Sequence, residues 1–231
     1  MNSIKQNLES IHARIHTVEL AAQRPTSSVR LVAVSKTQPV SALVAAYQAG
    51  QRDFGENYVQ EALEKQVQLD AYPMIWHFIG PIQSNKTKQI ALAFDWVHSV
   101  DRFKIAQRLN DQRPDGLPPL NICVQVNISR EASKSGIMLE ELSDWVNMMQ
   151  TLPRLRWRGV MAIPEPEHDL EKQRVPFRML FEAITALKQP FLDTFSMGMS
   201  DDLEAAILEG ATMVRIGTAI FGQRNYPVTP R

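Results

Sequence analysis

Strand and helix patterns alternate about eight times, predicting an α/β fold: a single (β/α)8 barrel over residues 1–231, with an extra helix at its N-terminus. Three observations carry this expectation. Short apolar, β-branched runs recur between stretches of helical periodicity, the pattern of a parallel sheet covered by helices. A length of 231 residues suits one such barrel. No Gly/Ser linker, low-complexity segment or shift of composition marks a second domain. A doubly wound open sheet shares the same alternation and is the competing architecture.

Within residues 3–22, Ile4, Leu8, Ile11, Ile15, Val18 and Leu20 recur at near-helical spacing, and Pro25 ends the run. An amphipathic helix therefore precedes the first strand. That strand is Arg30-Leu31-Val32-Ala33-Val34, followed at once by Ser35, Lys36 and Thr37. Residues 40–50 are helical in pattern and close on a glycine. A short strand at 52–55 leads into a helix over 58–69. The third unit pairs a strand at 75–79 with a helix at 86–93, and the fourth pairs 96–100 with 102–110. Residues 121–128 form the longest β run; a glycine-containing loop and a helix over 139–151 follow. The sixth strand spans 157–163, and the helix after it begins near Pro176 and ends near Lys188. Strands at 194–197 and 213–216 enclose a helix at 203–208, and a short helix or turn at 218–221 follows.

Composition narrows the function classes. Lys+Arg 25 balances Asp+Glu 25, so no overall basic field is available for nucleic-acid phosphates. The run Arg154-Leu155-Arg156-Trp157-Arg158 is too short to restore one. A single cysteine, Cys123, excludes an internal disulfide or a CxxC metal motif, and its apolar surroundings predict a buried, inert thiol. No apolar run approaches the roughly 20 residues of a membrane span, and the N-terminus lacks a signal-peptide core. A cytoplasmic protein without nucleic-acid or membrane partners is expected.

In a barrel the chemistry sits at the C-terminal ends of the strands. Those ends supply Lys36, Asn57, His77 with Gly80, Ser99 with Asp101, Asn127, Met161, Ser196 with Gly198, and Arg215 with Gly217. A lysine at a barrel mouth has two readings. It escapes to solvent, or burial lowers its pKa from about 10.4 and leaves an amine able to attack a carbonyl. Two of the ends suit an anion. Ser196-Met197-Gly198-Met199-Ser200 runs into a helix whose first turn offers backbone N–H groups, a serine there either capping the helix or binding phosphate. Arg215-Ile216-Gly217-Thr218 adds close backbone approach and a hydroxyl. Ordinary helix capping explains either alone, and Asp201 and Asp202 would repel an anion unless they face away. A reactive lysine beside a phosphate cradle points to a phosphorylated aldehyde.

On these residues the chain resembles the pyridoxal-phosphate homeostasis proteins, formerly the alanine-racemase N-terminal-like proteins. The resemblance rests on Val34-Ser35-Lys36-Thr37, on Asp53-Phe54-Gly55-Glu56-Asn57-Tyr58 and on the long motif Trp76-His77-Phe78-Ile79-Gly80-Pro81-Ile82-Gln83-Ser84-Asn85-Lys86. Ser196-Met197-Gly198-Met199-Ser200 and Val214-Arg215-Ile216-Gly217 complete it, so it spans essentially the whole chain. It implies a fold-type-III barrel holding pyridoxal 5′-phosphate (PLP) as a Schiff base on Lys36. By the same resemblance Asn57 and Met161 flank the ring, while Ser200, Gly217 and Thr218 hold the phosphate. Ser196 and Arg215 line the site, with Arg215 facing the pyridine nitrogen. An arginine stays protonated, so it weakens the cofactor as an electron sink. The implied role is non-catalytic: carrying or buffering PLP in vitamin B6 and amino-acid balance, with PLP-requiring apoenzymes as partners.

The first rival is a PLP-dependent amino-acid racemase. Racemases of this fold carry a second β-domain that supplies a catalytic tyrosine across a dimer, and this sequence contains neither; a monomer is expected. The second rival is a lysine-dependent aldolase barrel without PLP. Other residues read more plainly. His12 and His16 stand at i, i+4 without a third metal ligand, so no metal site is expected. His77 suits structural hydrogen bonding, whereas His98 and His168 have no constellation around them. Tyr47, Tyr58, Tyr72 and Tyr226 are undistinguished candidates for a base. Met148 and Met149 fit a helix core. Lys134 reads as a solvated loop lysine, with a second, transient PLP-accepting role as the alternative.

Overall fold

A computed structural model describes residues 3–131 and 133–222. Eight strands run parallel: β1 (Arg30–Val34), β2 (Asp53–Glu56), β3 (Ile75–Phe78), β4 (Trp96–Val100), β5 (Leu120–Gln125), β6 (Leu155–Met161), β7 (Thr194–Ser196) and β8 (Met213–Ile216). Each pairs with the next in sequence. β8 returns to β1, with Arg30 opposite Met213 and Ala33 opposite Ile216. That pairing closes the barrel and excludes the open sheet. The strand helices are α2 (Val40–Gln48), α3 (Val59–Gln68), α4 (Thr87–Ala93), α5 (Phe103–Gln112), α6 (Leu142–Met149), α7 (Leu170–Ala186), α8 (Leu203–Leu208) and α9 (Thr218–Phe221). Among the described residues no helix is long and apolar enough to cross a membrane.

Alternation along the strands makes two cores. Leu31, Ala33, Phe54, Phe78, Val97, Ile122, Val160 and Val214 face outwards and pack beneath the helices. Val32, Trp96, Cys123, Met161 and Met213 face inwards and fill the barrel. Cys123 is wholly enclosed there, and burial pushes its thiol pKa up to about 12.

The N-terminal helix α1 (Ile4–Ala21) begins with a reciprocal cap between Ser3 and Gln6. Leu8, Ile11, Ile15 and Val18 are buried as their spacing predicts, whereas Leu20 is exposed. The helix and the turn after it also brace α8 and α9. Asn7 Nδ2 donates to the Ile220 carbonyl at 2.8 Å, and Arg24 Nη1 to those of Ile207 and Ala211. Buried Glu19 accepts from the Val29 N–H at 2.8 Å and from Ser27 and Ser28, tying α1 to the start of β1.

Boundaries differ from expectation at several elements. β5 ends at Gln125: Val126 persists only as a bridge to Ile137, and the Asn127 amide turns to the Glu131 and Lys134 carbonyls. β6 spans Leu155–Met161 rather than residues 157–163. The seventh helix begins at Leu170, before Pro176. Asp169 caps it by accepting the Lys172 N–H, and burial of Phe177, Leu180 and Ile184 offsets the backbone donor that the internal proline lacks.

Candidate functional site

A cavity of about 560 Å³ opens at the C-terminal mouth of the barrel. Six residues singled out in the sequence line it: Lys36 after β1, Asn57 after β2, Ser200 between β7 and α8, Arg215 on β8, and Gly217 and Thr218 at the start of α9. Val34, Ile79, Ile163, Met199 and Ala219 supply apolar wall, and Asp201 stands at the same rim.

The loop bearing Lys36 rests on a buried charge cluster. Lys65 of α3 donates from Nζ to the Ser35 carbonyl at 2.7 Å, to Glu56 Oε1 at 2.7 Å and to Glu61 Oε1 at 2.6 Å. Ser35 Oγ donates to the same Glu56 oxygen at 2.6 Å. Glu56 is wholly buried, and burial raises its carboxyl pKa against the opposing pull of Lys65. Glu61 accepts the Thr37 N–H at 2.5 Å and thereby holds Thr37 at φ 62°. A β-branched residue in that region is strained by about 1–3 kcal/mol, so the backbone immediately after Lys36 is held by the cluster rather than by local preference.

Two strands from Lys36 around the barrel, the β7–α8 loop turns at Gly198, whose φ is 95°. A Cβ there would lie 2.6 Å from the Ala206 methyl, so glycine is needed for both conformation and space. Ser200 does not cap the following helix. That helix spans Leu203–Leu208 with Asp202 at its N-cap position, leaving Ser200 in the loop against the cavity. Asp202 Oδ1 accepts the Met199 N–H at 2.6 Å, and burial raises its pKa. Arg14 of α1 holds the loop from outside: its guanidinium donates to the Ser200 carbonyl at 3.2 Å and to Glu204.

Arg215 is buried against the cavity floor. Its Nη1 donates to the Ser196 carbonyl at 2.5 Å and to Ser196 Oγ at 2.8 Å, and its Nη2 to the Ala162 carbonyl at 3.0 Å. Burial lowers its pKa to about 10, which leaves it charged at neutral pH. Ser196 is fully buried and sits behind Arg215. Met161, 1% exposed, borders an adjoining cavity of about 240 Å³. That second space shares Asn57, Ile79 and Ile163 with the first. The Asn57 carboxamide oxygen is buried without a hydrogen-bond partner among the described residues. Gly80 secures the Asn57 backbone, since a Cβ at residue 80 would lie 2.2 Å from the Asn57 carbonyl oxygen.

His98 departs from the sequence expectation. Its Nδ1 lies 2.7 Å from Ser196 Oγ and its Nε2 2.9 Å from His77 Nδ1, while His77 Nε2 lies 2.9 Å from Asp53 Oδ1. The signal was present in strand parity: Asp53, His77 and His98 occupy inward positions on consecutive strands. Lys65 and Glu56 were also missed. Elsewhere, Lys134 pairs with Glu131 at the rim of the smaller cavity. His12 and His16 border a different cavity, with Arg30, Arg52 and Asp53. Tyr47 and Tyr72 stack edge to face on each other, Tyr58 is exposed, and Tyr226 lies outside the described residues.

Fold and cavity together define a class, the (β/α)8 barrel of the alanine racemase type; the family model described as "Alanine racemase, N-terminal domain" matches residues 6–225. Alanine racemase from Bartonella henselae shares this fold at a TM-score of 0.67 and 16% identity, covering 97% of this chain and 60% of the racemase. Within that class, the chain belongs to the pyridoxal phosphate homeostasis protein family. The member from Pseudomonas aeruginosa is 58% identical over 226 residues, covering 98% of each chain. The one from Escherichia coli K12 is 52% identical over 231 residues, covering 98% of this chain and 99% of the relative. PipY of Synechococcus elongatus, solved with PLP bound, superposes at a TM-score of 0.82 with 36% identity, covering 95% of this chain and 100% of PipY.

Proposed function

We propose that this protein binds PLP through Lys36 at the barrel mouth and acts as a cytoplasmic, monomeric carrier or buffer of the cofactor, delivering it to PLP-requiring apoenzymes without robust catalysis of its own. The observation that carries the reading is the convergence of Lys36, Arg215 and the Ser200, Gly217 and Thr218 donors on one cavity. The residues present fit the group. The cavity, about 560 Å³, falls within the ~300–1,000 Å³ usual for small-ligand sites. The orphaned Asn57 oxygen needs a donor, which a hydroxylated ring supplies. PLP, when bound, contributes an aldehyde that condenses with amines and a ring that withdraws electrons.

The chain's own residues have separable roles in this reading. Lys36 supplies the bonding amine, and the Lys65 cluster sets the backbone that carries it. Ser200, Gly217 and Thr218 offer a hydroxyl and backbone donors to phosphate. Ile79, Ile163 and Met199 supply an apolar wall on one side. Arg215 presents a fixed positive charge that disfavours a proton on a ring nitrogen beside it. The relatives' name and the PLP bound in PipY support the same ligand.

A spectral titration with PLP tests the reading. Wild-type protein is expected to develop a visible absorbance that Lys36→Ala abolishes, with no racemisation of added amino acids. Protein that stays colourless at saturating PLP overturns it. Handover is tested by mixing the loaded protein with a PLP-free apoenzyme in the presence of a trap for free PLP. Activation no faster than with equimolar free PLP refutes the carrier role.

A further inference from the structure

A line of hydrogen-bonding side chains crosses the barrel interior from one mouth towards the other. It starts at Asp53, which borders the cavity opposite the candidate site, and passes through His77 and His98 to Ser196 and Arg215. The five residues lie on β2, β3, β4, β7 and β8, so the link between His98 and Ser196 spans the barrel. Trp96 stacks on the His77 ring with centroids 5.8 Å apart and meets the His98 ring edge-on at 6.0 Å, keeping both imidazoles from water. Both are fully buried, and burial lowers their pKa values, that of His98 to well below the ordinary histidine range. Each ring is therefore neutral at physiological pH, with one donor nitrogen and one acceptor nitrogen.

The two ends determine which nitrogen is which. Arg215 can only donate, and it does so to Ser196 Oγ at 2.8 Å. The Ser196 hydroxyl then donates to His98 Nδ1 at 2.7 Å. His98, carrying its proton on Nε2, donates to His77 Nδ1, and His77 donates from Nε2 to the Asp53 carboxylate. Every bond has a donor and an acceptor, and the line runs from a cation to an anion. The reverse sense requires a protonated Asp53 and leaves the Ser196 hydroxyl proton facing two donors. Cooperative polarisation along such a line strengthens its members.

We infer that Asp53, His77, His98 and Ser196 form a one-way hydrogen-bond chain that positions Arg215 and holds its charge at the floor of the cavity. None of the four is a catalytic residue; they act through Arg215. The consequence for a bound ligand rests on the PLP reading above, whereas the sense of the chain does not.

The test uses protein labelled with 15N in histidine, read without and then with PLP. Without ligand, His77 and His98 are each expected to be neutral with the proton on Nε2. Asp53→Ala removes the last acceptor, so the His77 Nε2–H signal is expected to shift for want of its partner, while His98, still fixed by Ser196 and Arg215, keeps its proton on Nε2. Ser196→Ala perturbs the line from the other end and serves if Asp53→Ala does not fold; there both protons are expected to stay on Nε2, because Asp53 still accepts from His77, while the His98 Nδ1 signal shifts for want of its donor, with Ser196→Thr restoring it. With PLP, both alanine variants are expected to shift the absorbance maximum and weaken binding by about 2- to 30-fold, the range of network mutations. A proton on Nδ1 of either ring in the wild type overturns the inference. So does a folded Asp53→Ala whose His77 Nε2 signal is unchanged. Wild-type protein with the expected tautomers but no PLP uptake supports the chain and overturns the PLP reading instead.

Discussion

Replacing Lys65 by methionine tests whether the loop bearing Lys36 depends on buried charge. The substitution keeps the length and apolar stem but removes an ammonium that bonds the Ser35 carbonyl, Glu56 and Glu61. Glu56 is then left wholly buried, with Oε2 already unpartnered among the described residues and only the Ser35 hydroxyl on its other oxygen. Breaking a buried pair by removing one partner costs about 3–5 kcal/mol. For a chain of 231 residues this lowers Tm by roughly 6–20 °C. The loss also acquires a pH dependence. Burial already raises the Glu56 pKa in the wild type, and without Lys65 it rises further. A group whose folded pKa is raised binds its proton more tightly when folded, so its stabilisation is present at low pH and lost as pH rises through the folded value. The deficit of Lys65→Met is therefore smallest in acid and largest above neutrality. Urea unfolding across that range measures it, and adding Glu56→Gln should recover a substantial part. A neutral-pH loss below about 1 kcal/mol, or a double variant no more stable than the single one, would refute the reasoning.

Three further predictions address other parts of the molecule. The depressed pKa values of His77 and His98 mean that the unfolded chain binds protons as pH falls below the ordinary histidine value while the folded chain does not. Stability should therefore fall with acidification by up to about 1.4 kcal/mol per pH unit for each ring. His98→Gln should flatten that slope; an unchanged slope in unfolding measurements contradicts the assignment. Thr37→Gly relieves a left-handed threonine, so Tm should hold or rise while PLP binding weakens as Lys36 gains freedom; a fall in Tm of more than roughly 4 °C counts against strain at this residue. Arg14→Ala removes a half-exposed brace on the Ser200 loop. Solvent screening keeps its cost to about 1 kcal/mol or less, but PLP affinity should drop several-fold, and an unaltered Kd in titration would show that the loop stands without α1.

The barrel was legible because inward and outward apolar residues alternate on short runs separated by helical periods. Its mouth was legible because strand ends could be read directly, which brought Lys36, Asn57, Arg215 and Gly217 forward. Depth was not legible in the same way. Ser196 and Met161 also stand at strand ends, yet one lies behind Arg215 and the other borders the adjoining cavity. Lys65 falls on the buried face of α3, with Val59 and Ala62, and a lysine at such a position signals a buried partner. Naming Glu56 as that partner requires the packing of α3 on β1 and β2. His98 escaped notice because its link to Ser196, 98 residues away, forms only across the closed barrel, although its bond to His77 on the neighbouring strand follows from strand parity. Pro176 misplaced a helix start because a cap at Asp169 and three buried side chains outweigh one missing donor.

The central claim is that Lys36 is the residue to which PLP bonds. Borohydride reduction of the PLP-loaded protein, followed by proteolysis and mass mapping, tests it most directly. A single phosphopyridoxyl mass on the peptide containing Lys36, lost in Lys36→Ala, is the predicted result. Labelling confined to Lys134 or other lysines, or wild-type protein that carries no label, would contradict it.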